Sequence, residues 1–423
     1  MTSGSLTNRR ALLVKAVLTG VPLVLQSGQA GAQLTKSAMA NGAGTAAGAA
    51  LTGSLRSSPE ARLIEIYQAI GSGDRNALPL AASLVRDVPR FQLGQLVYGD
   101  LLLARSGSLT GFAAVPDGSP AAREQLQKLR DEATRRLRSL REMPPPGTVP
   151  EQVLELSRNV RHVVVVDASH SRVYVFEHQP TGLQPIRSFY ASIGRAGFDK
   201  QEEGDLRTPL GVYHITSRLD DKQLEELYGI GALPLNYPNV HDRRLGRTGS
   251  GIWLHGVPRE SYARSPYATE GCVALANEDM AYLMRLLEPR RTPVIIADEV
   301  KWVKPDALSV YKREFRALLS KWAEARSQGN QALLRTMYST GFETADEPLE
   351  RAAKIQAPAR RAVPQRLQIY LEDVSIFRWT RGAEVTVVNY SEVPAGETRW
   401  TSKRQYWTKE NGRWLLFFDG KVG

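Results

Sequence analysis

The chain of 423 residues contains one cysteine, Cys272, and a His-Gly pair, His255-Gly256, whose histidine lies seventeen positions before it. A lone cysteine cannot staple its own chain, so it is either a small apolar core side chain or a nucleophile. The neighbours point to the nucleophile. Gly271 directly precedes Cys272, and a residue without a Cβ lets a substrate acyl group come close on that side of the sulfur. The apolar run Ile252-Trp253-Leu254 reads as a strand that delivers His255 to a sheet edge. A neutral imidazole within reach of the thiol can take its proton, because thiolate rather than thiol attacks carbonyl carbon. The chemistry is Cys/His acyl transfer; the competing reading is a buried, inert thiol.

His255-Gly256 is followed by Thr269-Glu270-Gly271-Cys272-Val273, and upstream lies Gly204-Asp205-Leu206-Arg207-Thr208-Pro209-Leu210-Gly211-Val212-Tyr213-His214-Ile215. These two ordered blocks resemble the YkuD-like L,D-transpeptidases of bacterial cell walls. The resemblance implies Cys272 as nucleophile, His255 as general base and Gly256 as the residue whose carbonyl orients the imidazole. A carbonyl can fix the tautomer as a carboxylate does, so no acidic partner is needed. Backbone N–H groups around Gly271 and Cys272 form the natural oxyanion hole, with Thr269 in the same loop.

Two positions depart from the family pattern. Many members carry a His before the Gly-Cys and an Arg two residues after the Cys, where this chain has Glu270 and Ala274. Arg243, Arg244, Arg247, Arg259 and Arg264 are near enough in sequence for one of them to replace the missing cation. Arg243 and Arg244, with Tyr237, are expected to bind substrate; Tyr190 and Asn236 are further groove candidates. His162, His170, His178, His214 and His241 show no metal-ligand spacing, so neither metal nor cofactor is expected.

The elements that must position this chemistry begin after an export signal. Arg9-Arg10 and Lys15 form a basic start, Ala16 to Leu25 is an apolar run, and Ala30-Gly31-Ala32 is a cleavage signature. The paired arginines resemble a twin-arginine signal, and an ordinary secretory signal stays open. The expected segments are a signal peptide at 1–32, a flexible Ala/Gly/Ser linker at 33–58 and a helical region at 59–158. Within the last, Leu63, Ile66, Tyr67 and Ile70 share a face, helix resumes at 77–85, and a charged helix runs over 121–141.

From His162 the hydrophobic period changes to that of strands. Expected strands cover 163–167, 172–177, 188–193, 212–217, 251–254 and 292–297, with a helix at 277–287. The unit at 160–299 therefore reads as a mostly antiparallel β-sandwich or barrel-like sheet, as the resemblance implies.

Beyond Pro305, Phe315, Leu318, Leu319 and Trp322 form a helical stripe, helix resumes over 333–338, and strands follow at 367–378, 383–392, 398–408 and 413–419. Asn411-Gly412 marks a hairpin. Helices followed by a curling antiparallel sheet at 307–423 resemble the nuclear transport factor 2-like α+β fold, whose cone-shaped pocket serves binding, catalysis or dimerisation. Trp379, Tyr406, Trp407 and Trp414 are expected in its core and pocket lining.

The formal charge of +11 fits attraction to anionic envelope polymers, and no nucleic-acid motif appears. The expected function is that of a periplasmic acyltransferase acting on peptidoglycan stem peptides as an L,D-transpeptidase. The C-terminal unit and Ala274 make it similar also to helical-cell-shape L,D-carboxypeptidases, which leaves hydrolysis as an alternative. A non-catalytic wall-binding protein is a second alternative. Other envelope proteins and a second copy of the chain, docked through the C-terminal unit, are further partner expectations.

Overall fold

The computed structural model describes residues 58–107, 111–112, 119–344, 371–393 and 400–421. The expected signal segment, nearly all of the linker and the first residues of the strand expected at 367–378 lie outside the described residues. Among those residues no helix is long and apolar enough to cross a membrane.

Four helices open the described chain: α1 (Pro59–Ser72), α2 (Ala77–Asp87), α3 (Gln92–Ser106) and α4 (Pro120–Arg141). The α1 start is written locally, with Pro59 in the first turn and Ser58 Oγ accepting from Ala61 N–H at 3.1 Å. Gly73, at φ 72°, stops it in the left-handed region. Leu63, Ile66, Leu84, Phe91, Leu93, Val97 and Ala133 close the bundle core. Its inner face also carries charge. Glu60 Oε1 accepts from Arg136 at 2.9 Å and from Arg172, on the central sheet, at 2.7 Å. All three are buried, and the pairing offsets their desolvation.

The central unit comprises β1 (Val149–Pro150), β2 (Val153–Glu155), β3 (His162–Asp167), β4 (Arg172–Gln179), β5 (Gly182–Gly194), β6 (Gly211–His214), β7 (Leu219–Asp220), β8 (Gly231–Pro234), α5 (Val240–Arg244), β9 (Trp253–His255), β10 (Tyr267–Thr269), β11 (Val273–Leu275), α6 (Asn277–Leu286), β12 (Pro293–Ala297) and β13 (Trp302–Val303). Ten of these strands form one sheet in the order β6-β12-β3-β4-β5-β11-β9-β8-β7, with β10 on β5. Most pairs are antiparallel, but β12–β3, β11–β9 and β10–β5 run parallel. The path curls back on itself, because Ile215 after its first strand, β6, bridges Leu235 after its penultimate strand, β8. The sheet thus closes around one apolar core. Val163 to Val166, Val173, Val175 and Val294 to Ile296 are completely shielded, as continuous apolar strands buried on both faces must be.

The last unit comprises α7 (Ser309–Ser327), α8 (Gln331–Arg335), β14 (Tyr338–Thr344), β15 (Glu372–Trp379), β16 (Val385–Glu392), β17 (Thr401–Glu410) and β18 (Arg413–Lys421). Helices precede strands as expected, but the second helix ends at Arg335 and Tyr338 already opens β14, so the helix expected over 333–338 is shorter. The sheet order is β14-β18-β17-β16-β15-β2. Its sixth strand, β2, is contributed from far earlier in the chain, in a segment that the sequence assigns to the helical region. Alternation along the strands divides the side chains between two cores. Val374, Ile376, Val388, Tyr390, Trp407 and Leu416 pack with Phe315, Leu319 and Trp322 of α7. Phe377, Trp379, Val385, Val387, Tyr406 and Phe417 join the core of the central unit.

Candidate active site

Strands β9 and β11 place the two chemical groups. They run parallel, with Val273 opposite Leu254 and Ala274 opposite His255. One step back, Cys272 lies beside Trp253, whose N–H donates to Sγ at 3.4 Å. Side chains alternate along a strand, so Trp253, His255, Cys272 and Ala274 share one face. The sulfur itself donates to Gly251 O at 3.2 Å and is half-buried.

His255 is buried, and its Nδ1 donates to Gly256 O at 2.6 Å. That bond puts the proton on Nδ1 and leaves the Nε2 lone pair free to accept one. Burial pushes the imidazole pKa down to about 4, only partly opposed by the Gly256 carbonyl. Burial pushes the Cys272 thiol up to about 11, against the Trp253 N–H and the Arg264 charge, which favour thiolate. The resting pair is therefore neutral thiol and neutral imidazole.

The loop before the cysteine is held from within. Thr269 Oγ1 accepts from Gly271 N–H at 3.1 Å and donates to Cys272 O at 2.7 Å. Gly271 sits at φ 131°, and a Cβ there would lie 2.7 Å from Arg207 O and 3.0 Å from Ile252 Cδ1. Only glycine fits. Gly271 N–H is thus engaged by Thr269 Oγ1, and the expectation of a free donor at Gly271 is corrected to a role in loop shape.

The upstream block builds the floor under this turn. Asp205 accepts from Lys200 Nζ at 2.7 Å and from the N–H groups of Gln201, Glu202 and Arg207. Despite its desolvation, these donors hold its pKa below the usual carboxylate value. Thr208 Oγ1 accepts from Gly194 N–H at 2.9 Å, tying the block to the end of β5. These bonds set Arg207 O where it meets Gly271.

Of the residues expected to bind substrate, none contacts Cys272 or His255. Arg243 donates to Pro238 O at 2.8 Å, and Arg244 reaches Gly341 O at 2.9 Å while lying over the Phe417 ring, against the C-terminal unit. Tyr237 is a core residue, buried beside Tyr213, with its hydroxyl on Thr248 O. Helix α5 carries both arginines away from the β9–β11 face. Arg264 is the arginine whose charge acts on both the thiol and the imidazole. Its Nη2 donates to Leu227 O, and burial lowers its pKa. His214 also lies off the site, with Nε2 accepting from Asn389 of the C-terminal sheet.

Two residues escaped the sequence reading. Tyr228 packs its ring 5.1 Å from His255 and 4.9 Å from Trp253, walling the pair. Asn277 opens α6; its Oδ1 accepts from Val257 N–H at 3.2 Å and Ile230 N–H at 3.3 Å, and its Nδ2 donates to Val257 O at 2.8 Å. A Cβ on Gly256 would collide with that Asn277 oxygen. The small residue after the histidine therefore lets Asn277 clamp the His-Gly turn.

Residues 161–296 match the model of the YkuD family, the L,D-transpeptidase catalytic domain. This segment belongs to that family. Among solved structures, Bd1075 from Bdellovibrio bacteriovorus superposes with a TM-score of 0.53 at 24% identity, over 65% of this chain and 98% of that one. A variant of the helical cell shape determining protein Pgp2 from Campylobacter jejuni gives 0.50 at 19% identity, over 64% of this chain and 94% of that one. These two likenesses extend the fold beyond the matched domain. No curated protein matches the sequence.

Proposed function

We propose that the chain is an exported cysteine acyltransferase of peptidoglycan stem peptides, with Cys272 as nucleophile and His255 as base. The observation that carries this reading is the 2.6 Å bond from His255 Nδ1 to Gly256 O, which holds a neutral imidazole with Nε2 as acceptor on the face that presents Cys272. As the sulfur attacks the carbonyl of an L,D bond, the thiol proton passes to Nε2 and the S–C bond forms. The carbonyl oxygen becomes an oxyanion facing Cys272 N–H, with Arg264 as the nearby positive charge. Collapse expels the terminal D-amino acid, whose amine takes the proton back from Nε2, and a thioester remains. An acceptor amine then attacks the thioester with the same imidazole as base, and the thiol leaves. This makes the enzyme an L,D-transpeptidase; water in place of the amine would make it an L,D-carboxypeptidase.

Action on stem peptides places the chain in the periplasm, delivered by the N-terminal signal. The C-terminal unit is read as a nuclear transport factor 2-like accessory domain on helix and strand order.

The test is incubation of the mature chain, and of Cys272→Ala beside it, with a tetrapeptide-bearing muropeptide, with products read by mass. The expected result is a crosslinked dimer that the variant does not form. A Cys272-dependent tripeptide instead of a dimer replaces transpeptidation by carboxypeptidase trimming. No Cys272-dependent product from any stem peptide would overturn the enzyme reading in favour of a wall-binding protein.

A further inference from the structure

Where the central unit meets the C-terminal sheet there is a cavity of about 310 Å³, lined by His214, Arg243, Arg290, Arg404, Tyr406 and Lys421 among others, with no Asp or Glu in its lining. It lies on the sheet face turned toward the central unit, away from α7, since Tyr406 on β17 packs into the central core. The size is at the lower end of the roughly 300–1,000 Å³ of small-molecule sites.

The floor of this cavity is unusual in its charge. Arg404 is 8% exposed, and its Nε donates to the neutral Asn389 Oδ1 at 2.7 Å. Among the described residues no carboxylate pairs with it. Asn389 then donates through Nδ2 to His214 Nε2 at 3.0 Å, which puts the His214 proton on Nδ1. His214 is 4% exposed, and that buried Nδ1 has no hydrogen-bond partner. The relay thus ends in an unmet donor at His214 and, at the other end, in a guanidinium whose hydrogen-bond partners, Asn389 and the Tyr406 hydroxyl, carry no negative charge. Burying an arginine without a counter-charge is strongly unfavourable, and so is leaving a buried N–H unmet. Arg243, Arg290 and Lys421 add exposed cations at the rim. Four cationic side chains, Arg243, Arg290, Arg404 and Lys421, line the space and can donate to an anion, and no carboxylate lines it to compete.

We propose that this interdomain cavity is a binding site for a small molecule bearing carboxylate or phosphate groups, with the Arg404 guanidinium as its anchor. An oxyanion accepts two parallel N–H bonds from a guanidinium, supplying the missing counter-charge, and the rim cations add affinity. The site is separate from Cys272 and does not rest on the catalytic reading.

Thermal melting of the full chain tests this, with inorganic phosphate and malonate as probes and potassium chloride at matched ionic strength as control. The expected result is a saturable rise of several degrees with phosphate, malonate or both, and none with chloride; the stronger of the two identifies phosphate or carboxylate chemistry. Arg404→Met should lose the shift, yet melt no lower than the parent without ligand, because it removes an unpaired buried charge. A purely structural Arg404 predicts the opposite, a lower melting temperature. Arg290→Gln, at an exposed position, should fold normally and weaken the apparent affinity about threefold to tenfold. Should Arg404→Met not fold, the Arg290→Gln affinity decides. Absence of a saturable shift, retention of it in Arg404→Met, or unchanged affinity in Arg290→Gln overturns the site. Cys272→Ala should bind the same probes unchanged, which keeps this result distinct from any failure of the muropeptide assay.

Discussion

His255 and Cys272 lie on the same face of one strand pair in their neutral forms, and the pH dependence follows from that. Protonating His255 removes the base, and its pKa lies at about 4 rather than the ordinary 6.5, so kcat/KM should hold steady through neutral pH and fall only as pH drops toward about 4. The thiol, at about 11, adds no rise near neutrality. A pH profile of muropeptide turnover checks this; an acid limb near 6.5 would show that the imidazole is not desolvated during turnover. Gly271→Ala tests the turn. Its Cβ would press on backbone, Arg207 O, at a φ that L-residues rarely adopt, so the Cys272 turn must shift. The expected loss is about a hundredfold in kcat, comparable to losing an oxyanion donor, with the far-ultraviolet circular dichroism retained. The exposed Arg195–Glu270 pair at 2.6 Å occupies the position where family members carry histidine, and its exposure makes it a minor contributor to the site.

At the scale of elements, the segment between β9 and β10 carries Arg264 and is fastened to the N-terminal helices. Tyr262 is buried in the helical core with its ring 4.4 Å from Phe91, and Arg90 donates to Arg259 O at 2.9 Å. From the other side, Tyr190 donates its hydroxyl to Arg264 O at 3.0 Å, while the buried Arg136 guanidinium lies 3.8 Å over the Tyr190 ring. The helical region thus acts as a clamp that sets Arg264 near the thiol. Phe91→Ala should cost about 3–5 kcal/mol of stability, as large-to-small changes of buried aromatics do. It should also lower kcat/KM more than kcat if Arg264 contributes to substrate binding, with faster amide exchange in 256–270 than in β3 or β12. Unchanged exchange in that loop would separate the helices from the site.

Taken whole, the molecule shares its cores between units that the sequence reads as separate. Strand β2 sits at the edge of the C-terminal sheet, while Phe377, Trp379, Val385 and Phe417 of that sheet are buried against the central unit. Removing residues 307–423 would expose that apolar surface and strand β2 of its only ladder among the described residues. The truncated chain is therefore expected to aggregate, and calorimetry of the intact chain should show the central and C-terminal units melting in one transition. Two well-separated transitions would mean that the shared core adds little. The filled α7 side of the C-terminal sheet, with Trp322, Trp407 and Phe315 fully buried, also bears on the expected cone-shaped pocket. Aromatic side chains occupy that interior, and the cavity with free polar groups lies on the opposite face.

What the sequence by itself determined is what depends on neighbours in the chain. The helices at 59–72, 77–87 and 309–327 follow from apolar spacing and local stops, and the valine-rich strands β3 and β12 from continuous hydrophobic runs. Cys272 and His255 were singled out by residue type and neighbours, and the Thr269 to Cys272 turn by its short local pattern. Strands β8, β10 and β11 span three or four residues each, too few to show a period, and appear only because β5 and β9 offer them hydrogen bonds. Which arginine approaches the thiol was likewise a matter of tertiary structure. Arg243 and Arg244 are near in sequence but are carried off on α5, whereas the docking of Tyr262 on the helices brings Arg264 back. The Asn277 clamp and the Arg404 cavity join residues far apart in the chain, and side chains brought together by packing leave no spacing in the sequence from which to read them.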